Sequence, residues 1–315
     1  MPKDLYHIPI PNLSNKQNKI FQDLILGCTT TPTLENLFTK WKQRQQKTCD
    51  MLNIKNKLSI LLLNASSLRL YIYDLFELLN QIHVSIMILN GTRHDTDTLK
   101  CLSNHLTIYQ IFHQKGTNAF GGVLIAVHRS IPVPRVREFD NICNSIVLGV
   151  GNTAKKFQLA TFYSPPNEKL PINILNDIIN RNADTIICGD LNAKHDSWSN
   201  TDNNQKGRFL FEWLHDSHLQ VVNKCIPTST RSNAVIDLIL APPSMISNPF
   251  TVLPSIGSDH YPVIWSPPFH VPSKDFFIPI KRTYWGLHRL FITFTFTYWD
   301  NLCSIMSDKI EFFTL

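Results

Sequence analysis

Thr185-Ile186-Ile187-Cys188-Gly189-Asp190-Leu191-Asn192-Ala193 is a short strand that ends in a carboxylate and an amide. Its first four residues are of strand-forming types, and the glycine breaks the run. Asp190 would then emerge from a buried strand end, with Asn192 two residues further on. A carboxylate there can hold a divalent cation or accept a proton from water, and the amide hydrogens of Asn192 can reach a phosphoryl oxygen. The same residue types are common at a plain strand-to-turn junction. The choice between the two depends on what surrounds the segment.

Outward from it, short apolar runs recur from Leu58 to Trp265, each closed by polar residues. The pattern predicts strands over 58–63, 84–89, 122–127, 145–150, 157–163, 185–188, 235–240 and 261–265. Two helices are expected: over 71–82, where Tyr71, Leu75, Leu78, Leu79 and Ile82 share a face, and over 205–217, where Leu210, Trp213 and Leu214 do. Many strands with few helices predict an α+β fold of two packed sheets flanked by helices. Polar strand ends matter in such a fold, because sites are built on loops that leave a rigid sheet.

Several of those ends carry chemistry. His260, in Ser258-Asp259-His260, sits beside an acid just before a strand, where it can polarise water, steady a phosphate or simply face solvent. Asp237 interrupts an otherwise apolar run; if buried it needs a partner, and a histidine whose tautomer must be set is one. An edge-strand acid facing water is the plainer alternative. Tyr163 precedes Ser164-Pro165-Pro166, which stops its strand, and Asn64 closes the first strand the same way.

The bulk properties restrict the partners. A net charge of +6 and a pI near 8.9 suit an anionic partner without requiring one. Seven dispersed cysteines without a C-x-x-C pair argue against a zinc site or a disulfide framework and for a reducing compartment, nucleus or cytoplasm. No secretory leader is visible, and no apolar run is long enough for a membrane span. Three segments are expected: residues 1–56, an extension with one amphipathic, basic helix (Leu34, Leu37, Phe38 and Trp41 on one face); a domain over 57–268; and a tail over 269–315 in which 291–299 alternates like an unpartnered strand.

The order of these motifs resembles the endonuclease/exonuclease/phosphatase superfamily. It runs from Leu63-Asn64 through Ile88-Leu89-x-x-Thr92, Gly121-Gly122-Val123, Tyr163-x-Pro165, Gly189-Asp190-Leu191-Asn192-Ala193 and Ile236-Asp237 to Ser258-Asp259-His260. Within the superfamily it looks most like the apurinic-type endonuclease domain of non-LTR (LINE-type) retrotransposons. Ala193-x-His195 with Trp198, Asn204-x-x-Gly207 with Leu210, and Asn223-x-x-x-Pro227-Thr228 favour that branch over the superfamily phosphatases. The resemblance implies a DNase I-like four-layer α/β sandwich with mostly antiparallel sheets, Mg²⁺ or Mn²⁺ as cofactor, and DNA as partner of a monomer. It also implies roles. Asp190 would activate or orient water, Asn192 contact the phosphate, and His260, held by Asp237, act as base or phosphate stabiliser. Asp259 would bind the metal, Asn64 organise the site, and Tyr163 touch the phosphate or leaving group. One position departs from the pattern: Gly91 stands where the family has a metal-binding Glu. Impaired activity is the expectation, with a catalytically silent nucleic-acid-binding module and a phosphatase of small phosphoesters as alternatives.

Overall fold

The computed structural model describes residues 58–151, 156–246 and 248–268. Along the chain the strands are β1 (Ile60–Asn64), β2 (Ile86–Asn90), β3 (Tyr109–Gln114), β4 (Val123–His128), β5 (Ser145–Gly151), β6 (Lys156–Tyr163), β7 (Thr185–Asp190), β8 (Gln220–Val221), β9 (Asp237–Ala241), β10 (Phe250–Val252) and β11 (Val263–Trp265). The helices are α1 (Leu68–Gln81), α2 (Thr96–His105), α3 (Ile172–Arg181) and α4 (Gln205–Asp216). One sheet has the order β10-β11-β1-β2-β4-β3 and the other β5-β6-β7-β9-β8.

Each sheet contains one parallel pair, β1 with β2 and β6 with β7; the other neighbours are antiparallel. A parallel pair needs a crossover, and α1 and α3 supply the two. The strands are apolar almost throughout because both faces of each sheet are covered. In β1, Ile60 and Leu62 enter the core between the sheets with Ile88, Ile125, Leu159 and Ile239. Leu61 and Leu63 point the other way, onto a cluster with Leu68, Ile72 and Leu75 of α1 and Leu102 of α2. On the far side, Leu175 and Ile178 of α3 and Leu210 and Trp213 of α4 cover the second sheet. The result is the expected four-layer sandwich, helices, sheet, sheet, helices.

Some local expectations change. The buried face of α1 is Leu68, Ile72 and Leu75, with Tyr71 only half-buried. The expected Leu78, Leu79 and Ile82 are partly buried against the same cluster, continuing the spacing of Leu68, Ile72 and Leu75; only Tyr71, with non-helical angles (φ −112°, ψ 17°), departs from the stripe. The helices α2 and α3 and the strands β3, β8 and β10 were not anticipated. In α3 the isoleucines and asparagines weigh against a helix by propensity, and packing of Leu175 and Ile178 overrides them. The strand expected from Val235 begins at Asp237, where pairing with β7 starts. The helix around Leu34–Trp41 and the alternating stretch over 291–299 lie outside the described residues. Among the described residues no helix is long and apolar enough to cross a membrane.

Candidate active site

Strand register assembles the centre of the site. Tyr163 at the end of β6 pairs with Asp190 at the end of β7, and Asp190 pairs with Asp237 at the start of β9. Side chains opposite one another on neighbouring strands project from the same face, so the three form a row. The other sheet supplies asparagines at the ends of its parallel pair, where Asn64 is opposite Asn90. Asn64 Nδ2 donates to Asp190 Oδ2 at 2.7 Å. Asn90 Oδ1 accepts from the Asp190 backbone N–H at 3.0 Å, and its Nδ2 donates to Thr161 Oγ1 at 3.0 Å. The rims of the two sheets are thus tied together at Asp190.

His260 joins the row from the loop before β11. Its Nδ1 lies 2.7 Å from Asp237 Oδ2, with both side chains buried. Asp237 is itself fixed through its backbone: its N–H donates to Thr228 Oγ1 (3.0 Å), and its C=O accepts from Asn223 Nδ2 (2.7 Å). The Asn223-x-x-x-Pro227-Thr228 motif therefore builds the support of the histidine. Burial alone would discourage a charged ring at His260, but the Asp237 carboxylate and its hydrogen bond outweigh it and push the imidazole up to about 9. The ring is then a cation at neutral pH, with Nε2–H as its second donor. Asp190 is pushed up to about 7, first by burial and then by the neighbouring Asp237, which outweigh the favourable effects of His260 and Asn64. A carboxylate raised above its ordinary range is a stronger proton acceptor than a free one.

The remaining expected residues surround this pair. Asn192 takes left-handed backbone angles (φ +50°), donates its backbone N–H to Asp190 Oδ1 (3.1 Å) and its Nδ2 to the Ser164 C=O (3.1 Å). Tyr163 is half-buried, and burial followed by the Asp190 charge pushes its phenol up to about 12, so it keeps its proton. Asp259 accepts from Ser66 Oγ and pairs with the exposed Arg231 (Nε to Oδ2, 2.9 Å). Burial raises its carboxyl, yet Ser66, His260 and Arg231 together hold it below the usual range.

Gly91 follows Asn90 at φ +55°, a conformation that favours glycine. A Cβ there would lie 2.2 Å from Asn64 Oδ1. Asn64 fills the space in which a side chain at position 91 would start. Position 91 therefore offers no carboxylate. Elsewhere a cation fits: Asp190, Asp237 and His260 each present a donor atom, all within 4.8 Å of one another. Asp237 Oδ1 is buried without a hydrogen-bond partner, which a hard cation would satisfy. Because the ring of His260 is protonated at neutral pH, the two carboxylates are the donors that suit such an ion, and Asp259 lies outside this cluster.

The structure thus gathers Asn64, Asp190, Asp237 and His260 into direct contact, and joins Asn192 to the group through Asp190. Asn90, Ser66 and Arg231 were missed by the sequence. Asn90 was findable as the polar end of β2, directly opposite Asn64; Ser66 and Arg231 lie in loops and carry no periodic or motif signal.

Residues 157–264 match the family model described as endonuclease-reverse transcriptase. Among solved structures, the endonuclease domain of TRAS1, a telomere-specific non-LTR retrotransposon, matches at a TM-score of 0.56 and 19% identity, covering 69% of this chain and 100% of that one. The catalytic domain of Xenopus laevis APE2 matches at 0.54 and 16% identity, over 69% of this chain and 94% of its own. The 3′-5′ exonuclease NExo of Neisseria meningitidis matches at 0.52 and 17% identity, over 68% and 100%. At these identities the likeness to the solved structures is one of fold. No curated protein matches the chain in sequence.

Proposed function

We propose that this chain, whose fold and motif order are those of the endonuclease/exonuclease/phosphatase superfamily, is a divalent-metal-dependent phosphodiester hydrolase that nicks DNA. Its origin is the endonuclease of a non-LTR (LINE-type) retrotransposon, and Gly91 slows it. The observation that carries this proposal is the buried row of Asp190, Asp237 and His260, with Tyr163 and Asn192 at its edges.

Each residue then has a task. Asp190, steadied by Asn64, orients the attacking water and accepts its proton. His260 donates from Nε2 to a phosphoryl oxygen as charge builds there, while Asp237 keeps the ring oriented and protonated. Asn192 directs its amide at the same phosphate, and the Tyr163 phenol stands by the phosphate or leaving oxygen as a neutral donor. Asp237, through its unpartnered Oδ1, would hold Mg²⁺ or Mn²⁺ beside Asp190, with Asp259 as a further ligand for which Ser66 and Arg231 compete. A bound cation supplies neutralisation of the phosphoryl charge, and Mg²⁺ commonly binds through one or two carboxylates plus substrate phosphate. Losing the carboxylate at position 91 weakens this contribution, which is worth roughly several kcal/mol.

A supercoiled plasmid incubated with the protein in Mn²⁺ should slowly yield relaxed circles, and EDTA should stop it. Hydrolysis of inositol phosphates without any nicking would defeat the proposal. A second reading is favoured by the way Asn64 fills the place of a side chain at Gly91: a silent DNA-binding module. Phosphate contacts made by basic side chains and backbone amides do not need the cation. Salt-sensitive DNA binding in EDTA, with no nicking in Mn²⁺, would select it.

A further inference from the structure

Asn204-x-Lys206-Gly207, at the start of α4, has no part in the chemistry above. We propose that Lys206, assisted by Asn204, is a positioning residue that fixes Tyr163 and Asn192 relative to each other through one shared acceptor, the carbonyl of Ser164. The proposal rests on the functional assignment of those two residues.

A lysine in the first turn of a helix is out of place electrostatically, because the helix N-terminus carries the positive end of the macrodipole. On a surface helix it would turn to solvent. Lys206 is instead 8% exposed and belongs to no ion pair within 4 Å among the described residues. An ammonium has three hydrogens, and three oxygens receive them: Ser164 Oγ at 2.7 Å, Ser164 C=O at 3.1 Å and Pro165 C=O at 2.5 Å. All three belong to the segment immediately after Tyr163. Burying an ammonium costs several kcal/mol unless it is well bonded, so the cation is committed to this segment.

The Ser164 carbonyl is also the acceptor of Asn192 Nδ2. One oxygen therefore holds the amide of Asn192 and is itself held by Lys206, one residue beyond Tyr163. Asn204 grips the same loop from its backbone side. Its Nδ2 donates to the Asn192 C=O at 2.8 Å, and its Oδ1 accepts from Lys194 N–H at 3.0 Å and Gly207 N–H at 2.7 Å. Gly207 allows the approach: a Cβ there would lie 1.7 Å from the Lys194 C=O. Asn192 needs such external support, since its left-handed backbone is not the preferred state of the chain.

The test is a double-mutant cycle with Lys206→Met and Asn192→Ala, read by single-turnover nicking in Mn²⁺. Lys206→Met should lower the rate up to about 100-fold, the scale of a 1 Å misplacement, with little change in KM. The loss should be clearly smaller in the Asn192→Ala background, where Tyr163 alone is left to position. Lys206→Arg should restore part of the rate. An equal loss in both backgrounds, or an unchanged rate, would overturn the proposal. A second readout does not depend on turnover. The ¹⁵N side-chain amide resonance of Asn192 should shift or broaden in Lys206→Met and in the milder Asn204→Ala, and an unmoved resonance in both folded variants would also overturn it. If the wild type neither nicks nor binds DNA, the functional assignment fails while the resonance still decides the contact.

Discussion

His260 carries its proton because of Asp237, and this has a consequence for stability. Its ordinary value of 6.5 applies to the unfolded chain and a value of about 9 to the folded one. Between those limits the folded state binds more protons, so stability falls as pH rises. The contribution is fully present below pH 6.5 and is lost as pH passes through 9. At ~1.4 kcal/mol per unit, the difference in unfolding free energy between wild type and His260→Asn should shrink by up to about 3 kcal/mol between pH 6 and pH 10. Urea titrations in EDTA measure it, and a difference that stays constant with pH would contradict the dyad. For activity, Asp237→Asn should lower nicking at least about 100-fold and move the basic limb of the rate profile to lower pH, because the ring loses the charge that keeps it protonated. A lower rate with an unmoved limb would show that Asp237 does not set the protonation of His260.

At the scale of elements, the site depends on strands that meet closely at one rim. Gly189 sits in β7 where a Cβ would fall 1.9 Å from the Phe162 C=O of β6. Backbone cannot yield there as a flexible side chain would. Gly189→Ala should cost about 1–3 kcal/mol and displace Asp190 from Tyr163, measured as a lower Tm together with slower nicking. An unchanged Tm would mean that the pairing of β6 and β7 is looser than described. The same elements explain what was legible in the sequence. The strands β1, β2, β4 to β7, β9 and β11 are buried on both faces or nearly so, and their largely apolar runs announce them, although β6 carries the buried Gln158 and Thr161. The strand β3 borders its sheet, is only partly buried and carries glutamines and a histidine, so its signal is blurred. The α1 stripe was legible at Leu75, Leu78, Leu79 and Ile82, whereas the kink at Tyr71 has no periodic signal. Asp190, Asp237 and His260 were recognisable from motif order, yet their union depends on register between strands distant in sequence. Lys206 lay inside a motif already noticed, but nothing in the sequence says that its ammonium turns back onto Ser164.

At the scale of the whole molecule, the two sheets divide the work. The sheet containing β7 and β9 supplies the acids Asp190 and Asp237, and the loop before β11 brings His260 to them. The rim of the other sheet supplies Asn64 and Asn90, with a glycine after β2. Position 91 and Asn64 have to be considered together. Gly91→Glu alone introduces a side chain at φ +55° and into Asn64 Oδ1, so it should lower the Tm and disturb the support of Asp190. Adding Asn64→Ala makes room, and Mn²⁺ affinity followed by electron paramagnetic resonance should rise more in the double variant than in Gly91→Glu. Equal affinities would show that Asn64 is no obstacle. The central claim, that the buried row of Asp190, Asp237 and His260 hydrolyses phosphodiesters, has a more direct test: single-turnover nicking of supercoiled plasmid in Mn²⁺ by wild type, Asp190→Asn and His260→Ala. The wild type should nick slowly and each variant at least about 100-fold more slowly; nicking by His260→Ala at the wild-type rate would contradict the account.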